Sequence, residues 1–147
     1  MTEYAHLLAA IELNDEGQQV LQRAVALAQR FEARLSLVHV VEYLPVDPAG
    51  DALLTTPVDL SGERARQAEQ TLEQWCASAG LAAEAASVTI GAVANEILAM
   101  AKSRAADLVV IGHHPSSGLR ALFSHTDDGI LTRAECDVLA LNLKKSG

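Results

Sequence analysis

Five short apolar runs punctuate the chain, and the longer stretches between them carry apolar residues at helical spacing. The runs are HLLAAIE (6–12), RLSLVHVVE (34–42), AEAASVTIG (83–91), ADLVVIG (106–112) and CDVLALNL (136–143). RLSLVHVVE in particular is β-branched and lacks clean alternation, as in a strand covered on both faces. The resulting order, β-α-β-loop-α-β-α-β-α-β, predicts an α/β layered sheet, because consecutive parallel strands need long, right-handed crossovers. Strand ends at Ile11/Glu12, Val40/Val41 and Ile111/Gly112 then meet along one carboxyl edge, where an open parallel sheet forms its crevice.

The helical stretches start and stop on local chemistry. LNDEG offers Asn14 as a capping side chain, with Asp15 and Glu16 facing the positive end of the helix dipole. Val20, Ala24, Leu27 and Phe31, flanked by Leu21, Val25 and Ala28, then form one apolar stripe. A second helix is expected over about 61–79, with Ala65, Ala68, Leu72, Trp75 and Ala79 on one side and Gly80 as its stop. A third follows Gly91, burying Val93, Ile97, Met100 and Ala101, and a fourth carries Ile130, Leu131 and Ala134. Residues 43–62, which hold three of the four prolines, show no period and are expected to form either a flap over the strand ends or a partly ordered spacer.

Composition narrows the function. The 147 residues suffice for one domain, residues 1–147, with a buried core. A net charge of −8 leaves no basic surface to grip phosphate backbones, so no nucleic acid or anionic membrane is expected as a partner. No uncharged stretch reaches the length of a membrane span, and MTEYAHLLAAIELND lacks a basic start before a long apolar run, so a cytoplasmic location is the expectation. Cys76 and Cys136 lie among apolar neighbours without metal-ligand spacing and are expected as buried thiols.

The strand segments HLLAAIELND, RLSLVHVVE, ADLVVIGHH and CDVLALNL, in that order, resemble the universal stress protein family along nearly the whole chain. HLLAAIELND is similar to an opening strand that normally ends Ala-Val-Asp. The His113-His114 doublet after Gly112, and Asp137 where many members have proline, look closest to the A-type branch. The resemblance implies a three-layer Rossmann-like fold of the adenine nucleotide alpha hydrolase-like kind. Its five parallel strands stand in the order 3-2-1-4-5, with four helices. It also implies a homodimer through the last strand, Val138, Leu139, Ala140, Leu141, Asn142 and Leu143, and admits a heterodimer with related stress proteins. An apolar edge strand with unpaired N–H and C=O groups favours such pairing.

ATP-binding members of the family carry Gly-x-x-Gly, a fixed spacer, and a further Gly before Ser or Thr. On this chain Gly112 matches the first glycine, Pro115 and His125 occupy the other two, and Thr126 keeps the hydroxyl. Proline has no N–H to donate, and an imidazole fills space that bare backbone would leave to an oxygen. Asp127 and Asp128 already satisfy the helix dipole there, each by about 0.3–1 kcal/mol. Glu12 stands where the family's Asp meets the nucleotide, one methylene longer. The degenerate nucleotide site is therefore Glu12, Val41, Gly112 and Thr126. The expectation is a non-enzymatic A-type stress-response protein that uses no cofactor and acts by interaction or regulation. The alternative is an ATP-binding member with slow hydrolysis.

Other constellations have plainer readings. His113, His114 and His125 with Asp127 and Asp128 contain metal-ligand chemistry, but adjacent residues rarely point the same way, and no metal is expected. His39 is either a pH-responsive group or a satisfied rim residue. Ser124 is read as a cap of the fourth helix, with Ser116 and Ser117 as loop residues. No Ser or Cys has the glycine-flanked elbow of an activated nucleophile. The charged face of ERARQAEQTLEQW is read as solvated.

Overall fold

The computed structural model describes residues 3–42, 60–113 and 124–143, with the side chains of 60 and 124–128 outside the described set. The expected flap over 44–60 therefore lies almost wholly outside the described residues, as do His114, Pro115, Ser116 and Ser117.

The elements are β1 (His6–Ala10), α1 (Asp15–Phe31), β2 (Arg34–Glu42), α2 (Leu60–Ser78), a 3-10 turn (Ala83–Ala85), β3 (Ala86–Gly91), α3 (Val93–Ser103), β4 (Leu108–His113), α4 (Ser124–Arg133) and β5 (Asp137–Asn142). All pairings are parallel, and the strand order is β3-β2-β1-β4-β5, as the resemblance implied. Consecutive connections run outward in opposite directions from β1, which puts the topological switch beside it.

Central β1 is buried on both faces, with Leu7, Leu8 and Ala9 fully enclosed. Period-two alternation sends Leu7, Ala9, Leu35, Leu37, Leu108 and Val110 to the face covered by α1 and α2, where they meet Val20, Leu21, Ala24, Leu72 and Cys76. Leu8, Val38, Val109 and Ile111 face Ile97, Ala101 and Ile130 of α3 and α4. Each such enclosed side chain contributes about 1.5–3 kcal/mol, which makes β1 the costliest strand to disturb.

Local signals set the helix limits. Asn14 is extended (φ −150°) and its Oδ1 accepts from Gly17 N–H at 2.9 Å, the expected cap. Gly80 ends α2 at φ 78°. Two other helices end on non-glycine residues in the left-handed region, Glu32 and Ala105, both at φ 53°.

Several details depart from the sequence reading. β1 stops at Ala10, leaving Ile11 and Glu12 beyond the strand. AEAASVTIG opens with the 3-10 turn before β3 starts at Ala86. Among the described side chains of α4 only Ile130 is enclosed, and Leu131 is 55% exposed. Ala134 lies past the helix and closes it by donating its N–H to Ile130 C=O (2.9 Å). Cys76 is buried, but Cys136 is only half-buried beside the start of β5.

Candidate functional site

The carboxyl ends of β1, β2 and β4 enclose a crevice of about 710 Å³, within the range of small-molecule pockets. It straddles the sheet edge. Ile11, Val38, Val41, Ile97 and Ile111 supply apolar walls, while Glu12, Glu16, Glu42, His39 and Arg64 supply charge and polarity.

Three of the four nucleotide-site residues read from the sequence, Glu12, Val41 and Gly112, line this crevice. Thr126 falls in the first turn of α4, and its side chain lies outside the described residues, like those of His125, Asp127 and Asp128. Ser124 is the first residue of α4 rather than the residue before it. Glu12 is exposed, and its Oε2 accepts from Asn14 Nδ2 at 3.2 Å. The same Asn14 thus caps α1 and steers the carboxylate.

Val41 is 3% exposed, so its side chain belongs to the core. Its main chain does not face the gap between β1 and β2. Arg34 N–H donates to Ala5 C=O (2.9 Å) and Val38 C=O accepts from Ile11 N–H (2.8 Å), so even-numbered residues of β2 turn toward β1. By that parity Val41 turns to β3, where it pairs with Ile90, and Val40 turns to the space vacated by β1. Residue parity, available only once pairing is known, gives the donor and acceptor beside β1 to Val40.

Gly112 and Gly17 are both closely packed on the side a Cβ would take. A Cβ built on Gly112 would lie 2.6 Å from Leu143 Cδ1 and 3.1 Å from Val20 Cγ2, so the bare face of this glycine is filled from within. Leu143 is held there by its N–H, which donates to His113 C=O at 3.0 Å. Gly17 is likewise committed: a Cβ there would collide with the Glu12 carbonyl oxygen. Glu12, Glu16 and Glu42 stand around the opening. Sequence reasoning missed Leu143 and Val20 as occupants, since neither is near Gly112 along the chain.

His39 is the other residue whose role emerges here. Its Nδ1 stands 2.7 Å from Ile11 C=O. A carbonyl only accepts, so Nδ1 carries the proton and Nε2 is left on the far side of the ring.

The opposite, amino end of the sheet holds a tight polar network. His6, 6% exposed, donates from Nδ1 to Arg104 C=O (3.0 Å), and its Nε2 accepts from the Ser36 hydroxyl (2.7 Å). Arg104 donates to Ser36 Oγ (3.4 Å) and Ser87 Oγ (2.7 Å). Asp107 accepts from Ala5 N–H (2.9 Å) and His6 N–H (3.0 Å). Burial pushes the His6 pKa below its ordinary value; the bond to the Arg104 carbonyl opposes this, Arg34 and Arg104 add to it, and Asp107 partly offsets them. Burial pushes Asp107 up, but the backbone N–H bonds outweigh it and hold the carboxyl below its usual range.

Of the candidate metal set, only the His113 side chain is described, and among the described residues no three His, Cys, Asp or Glu side chains come together as a metal site. Burial, then Asp137, Asp107 and Glu135, raise the Cys136 thiol, which keeps it protonated. No helix among the described residues is long and apolar enough to cross a membrane.

The proposed pairing strand, β5, is an edge of the sheet. Leu141 is buried in the protomer, Leu139 and Leu143 pack on the same core and Val138 on the other, while Ala140 and Asn142 are exposed. What the edge offers outward is main chain flanked by short side chains. Tyr4 OH, which donates to Asp137 Oδ2 at 2.7 Å, ties the start of β5 to the N-terminal segment.

Comparison with known proteins places these features in context. The model of the universal stress protein family matches residues 3–142. Universal stress protein A homolog 1 of Coxiella burnetii is 33% identical over 142 residues, covering 97% of this chain and 99% of the relative. The solved universal stress protein UspA from Lactobacillus plantarum superposes with TM-score 0.68 at 25% identity, covering 97% of this chain and 100% of that one. A universal stress protein solved in complex with cAMP has the same fold, with TM-score 0.58 at 19% identity over 95% of this chain and 97% of that one.

Proposed function

The chain belongs to the universal stress protein family, and from that premise we propose that it is an A-type stress-response protein. In this reading it works in the cytoplasm as a homodimer through β5, or as a heterodimer with related stress proteins. It acts by interaction or regulation, without ATP as a cofactor and without catalysis. The observation that carries the reading is Gly112: the glycine that would open backbone to a phosphate is packed under Leu143 and Val20. The acidic rim of Glu12, Glu16 and Glu42 supports it electrostatically. The unpaired outer edge of β5 supports the dimer, since an apolar strand left open invites pairing with its own copy.

Calorimetric titration with ATP and magnesium tests the first part, with no saturable heat at sub-millimolar ATP expected; tight, saturable binding would reverse it. Sedimentation equilibrium tests the second. The wild-type chain should run as a dimer and Ala140→Lys as a monomer, because lysine on an edge strand blocks strand addition. An Ala140→Lys protein that stays dimeric moves the interface elsewhere.

A second reading has its own support: the crevice is of ligand size, and a structural relative forms a complex with cAMP. In that reading the chain senses a nucleotide carrying less charge than ATP. Titration with cAMP discriminates it.

A further inference from the structure

The helices on one face of the sheet, α3 and α4, both run out at its amino end. Between their last turns and the start of β5 lies a cavity of about 310 Å³. It stands at the opposite end of the sheet from the crevice and shares no lining residue with it. Its volume is at the lower end of the small-molecule range and suits a ligand much smaller than a nucleotide.

Leu98, Ala101, Ala106 and Cys136 give this cavity apolar walls, and three charged residues, Lys102, Arg133 and Glu135, line it as well. Among the described residues these three make no ion pair, with each other or with any other side chain. Arg133 is nonetheless fixed, its Nε donating to Gly129 C=O (3.2 Å) and its Nη1 to Asn95 Oδ1 (2.8 Å). Neither bond uses Nη2.

The charges around the cavity select the ligand. A helix end carries about half a negative charge, and Lys102 and Arg133, in the last turns of α3 and α4, each bring a full positive one. Half of each is left over, and together the two remainders balance Glu135. Opposite charges that line one cavity without joining each other match a molecule that carries both signs and no net charge. We infer that this cavity binds a free α-amino acid with an apolar side chain, its carboxylate on Arg133 and Lys102, its ammonium on Glu135 and its side chain against Leu98, Ala101 and Ala106. A ligand with one charge leaves half of the rim unmatched, and a polar side chain would lose its water against leucine and alanine.

The test uses L-leucine with isocaproate, which lacks the ammonium, and isoamylamine, which lacks the carboxylate; both keep the branched body. The wall supplies the reporter. Cys136 is half-buried beside the cavity and Cys76 is buried, so a methanethiosulfonate reagent added to the folded wild-type chain labels Cys136 first, as mass spectrometry can verify. Leucine at ten times its dissociation constant should slow that labelling by about tenfold, and calorimetry should return the same constant. Isocaproate and isoamylamine should each bind about fivefold more weakly, the value of one rim-exposed charge pair.

Lys102→Gln and Glu135→Gln, both at exposed positions, should leave the urea midpoint unchanged and divide the series. Lys102→Gln weakens leucine and isocaproate and spares isoamylamine; Glu135→Gln weakens leucine and isoamylamine and spares isocaproate. Labelling of Cys136 that leucine does not slow overturns the site. Leucine held no tighter than its two analogues overturns the choice of a zwitterion, and a series that responds alike to both variants overturns the partners assigned to carboxylate and ammonium.

Discussion

The two ends of the sheet each hold a histidine on a neighbouring central strand, and the two are used in opposite ways. At the amino end both ring nitrogens of His6 are engaged, by Arg104 C=O and the Ser36 hydroxyl, and Asp107 closes the adjoining backbone N–H groups. At the carboxyl end His39 spends one nitrogen on Ile11 C=O and thereby leaves main chain open at Val40. A network whose donors and acceptors all find partners inside the chain stabilises the fold. One that ends on open groups beside a cavity has its remaining capacity available to a ligand. The difference separates a closed polar network at one end of this sheet from an open crevice at the other.

The sharpest way to break that division is Gly17→Ala. If the carboxyl end served binding alone, an added methyl would cost little, yet its Cβ would strike the Glu12 carbonyl oxygen. Overpacking against backbone should destabilise by about 3 kcal/mol, measured as a shift in urea midpoint. Next, Asp107→Ala strips acceptors from Ala5 and His6 N–H. A loss of about 2 kcal/mol is expected in the urea midpoint.

Acid should act on the amino-end network through His6. His6 has its folded-state pKa lowered below 6.5, chiefly by burial. The unfolded chain therefore binds the proton more readily, and stability rises with pH from the folded value up to about 6.5. Its contribution is fully present above the unfolded value and is lost as pH falls through the folded one. Urea midpoints between about pH 7.5 and about pH 5.5 should fall more steeply in wild type than in His6→Asn, which cannot titrate; parallel profiles would remove His6 as the cause. The smallest effect is expected at Ala105→Gly. This residue closes α3 at φ 53°, and relief of left-handed strain should raise stability by about 0.5–1 kcal/mol by thermal melting.

Much of this was readable along the chain, and where it was not, the reason is geometric. Asn14, Asp15 and Glu16 announced the start of α1 because capping involves residues a few positions apart. The buried runs announced parallel strands because both faces need apolar residues. Of the residues read as a nucleotide site, Glu12, Val41 and Gly112 line one crevice. Which side the peptides of Val40 and Val41 turn to was not readable, since it depends on pairing with another strand. Leu131 looked equivalent to Ile130, but the sheet beneath α4 accepts one and leaves the other in water. The Cys136 expectation failed for a similar reason: apolar neighbours in sequence do not enclose a residue at the mouth of an edge strand.

By itself the sequence determined the element order and the helix starts, consequences of periodicity and local hydrogen bonding, and its resemblance to the family showed Pro115 and His125 at two phosphate-loop glycine positions. Only the tertiary structure decided that Leu143 and Val20 fill the face of Gly112, and that His39 takes the carbonyl meant for Val40. Those contacts join residues far apart along the chain, and their geometry comes into being only when the strands pack side by side.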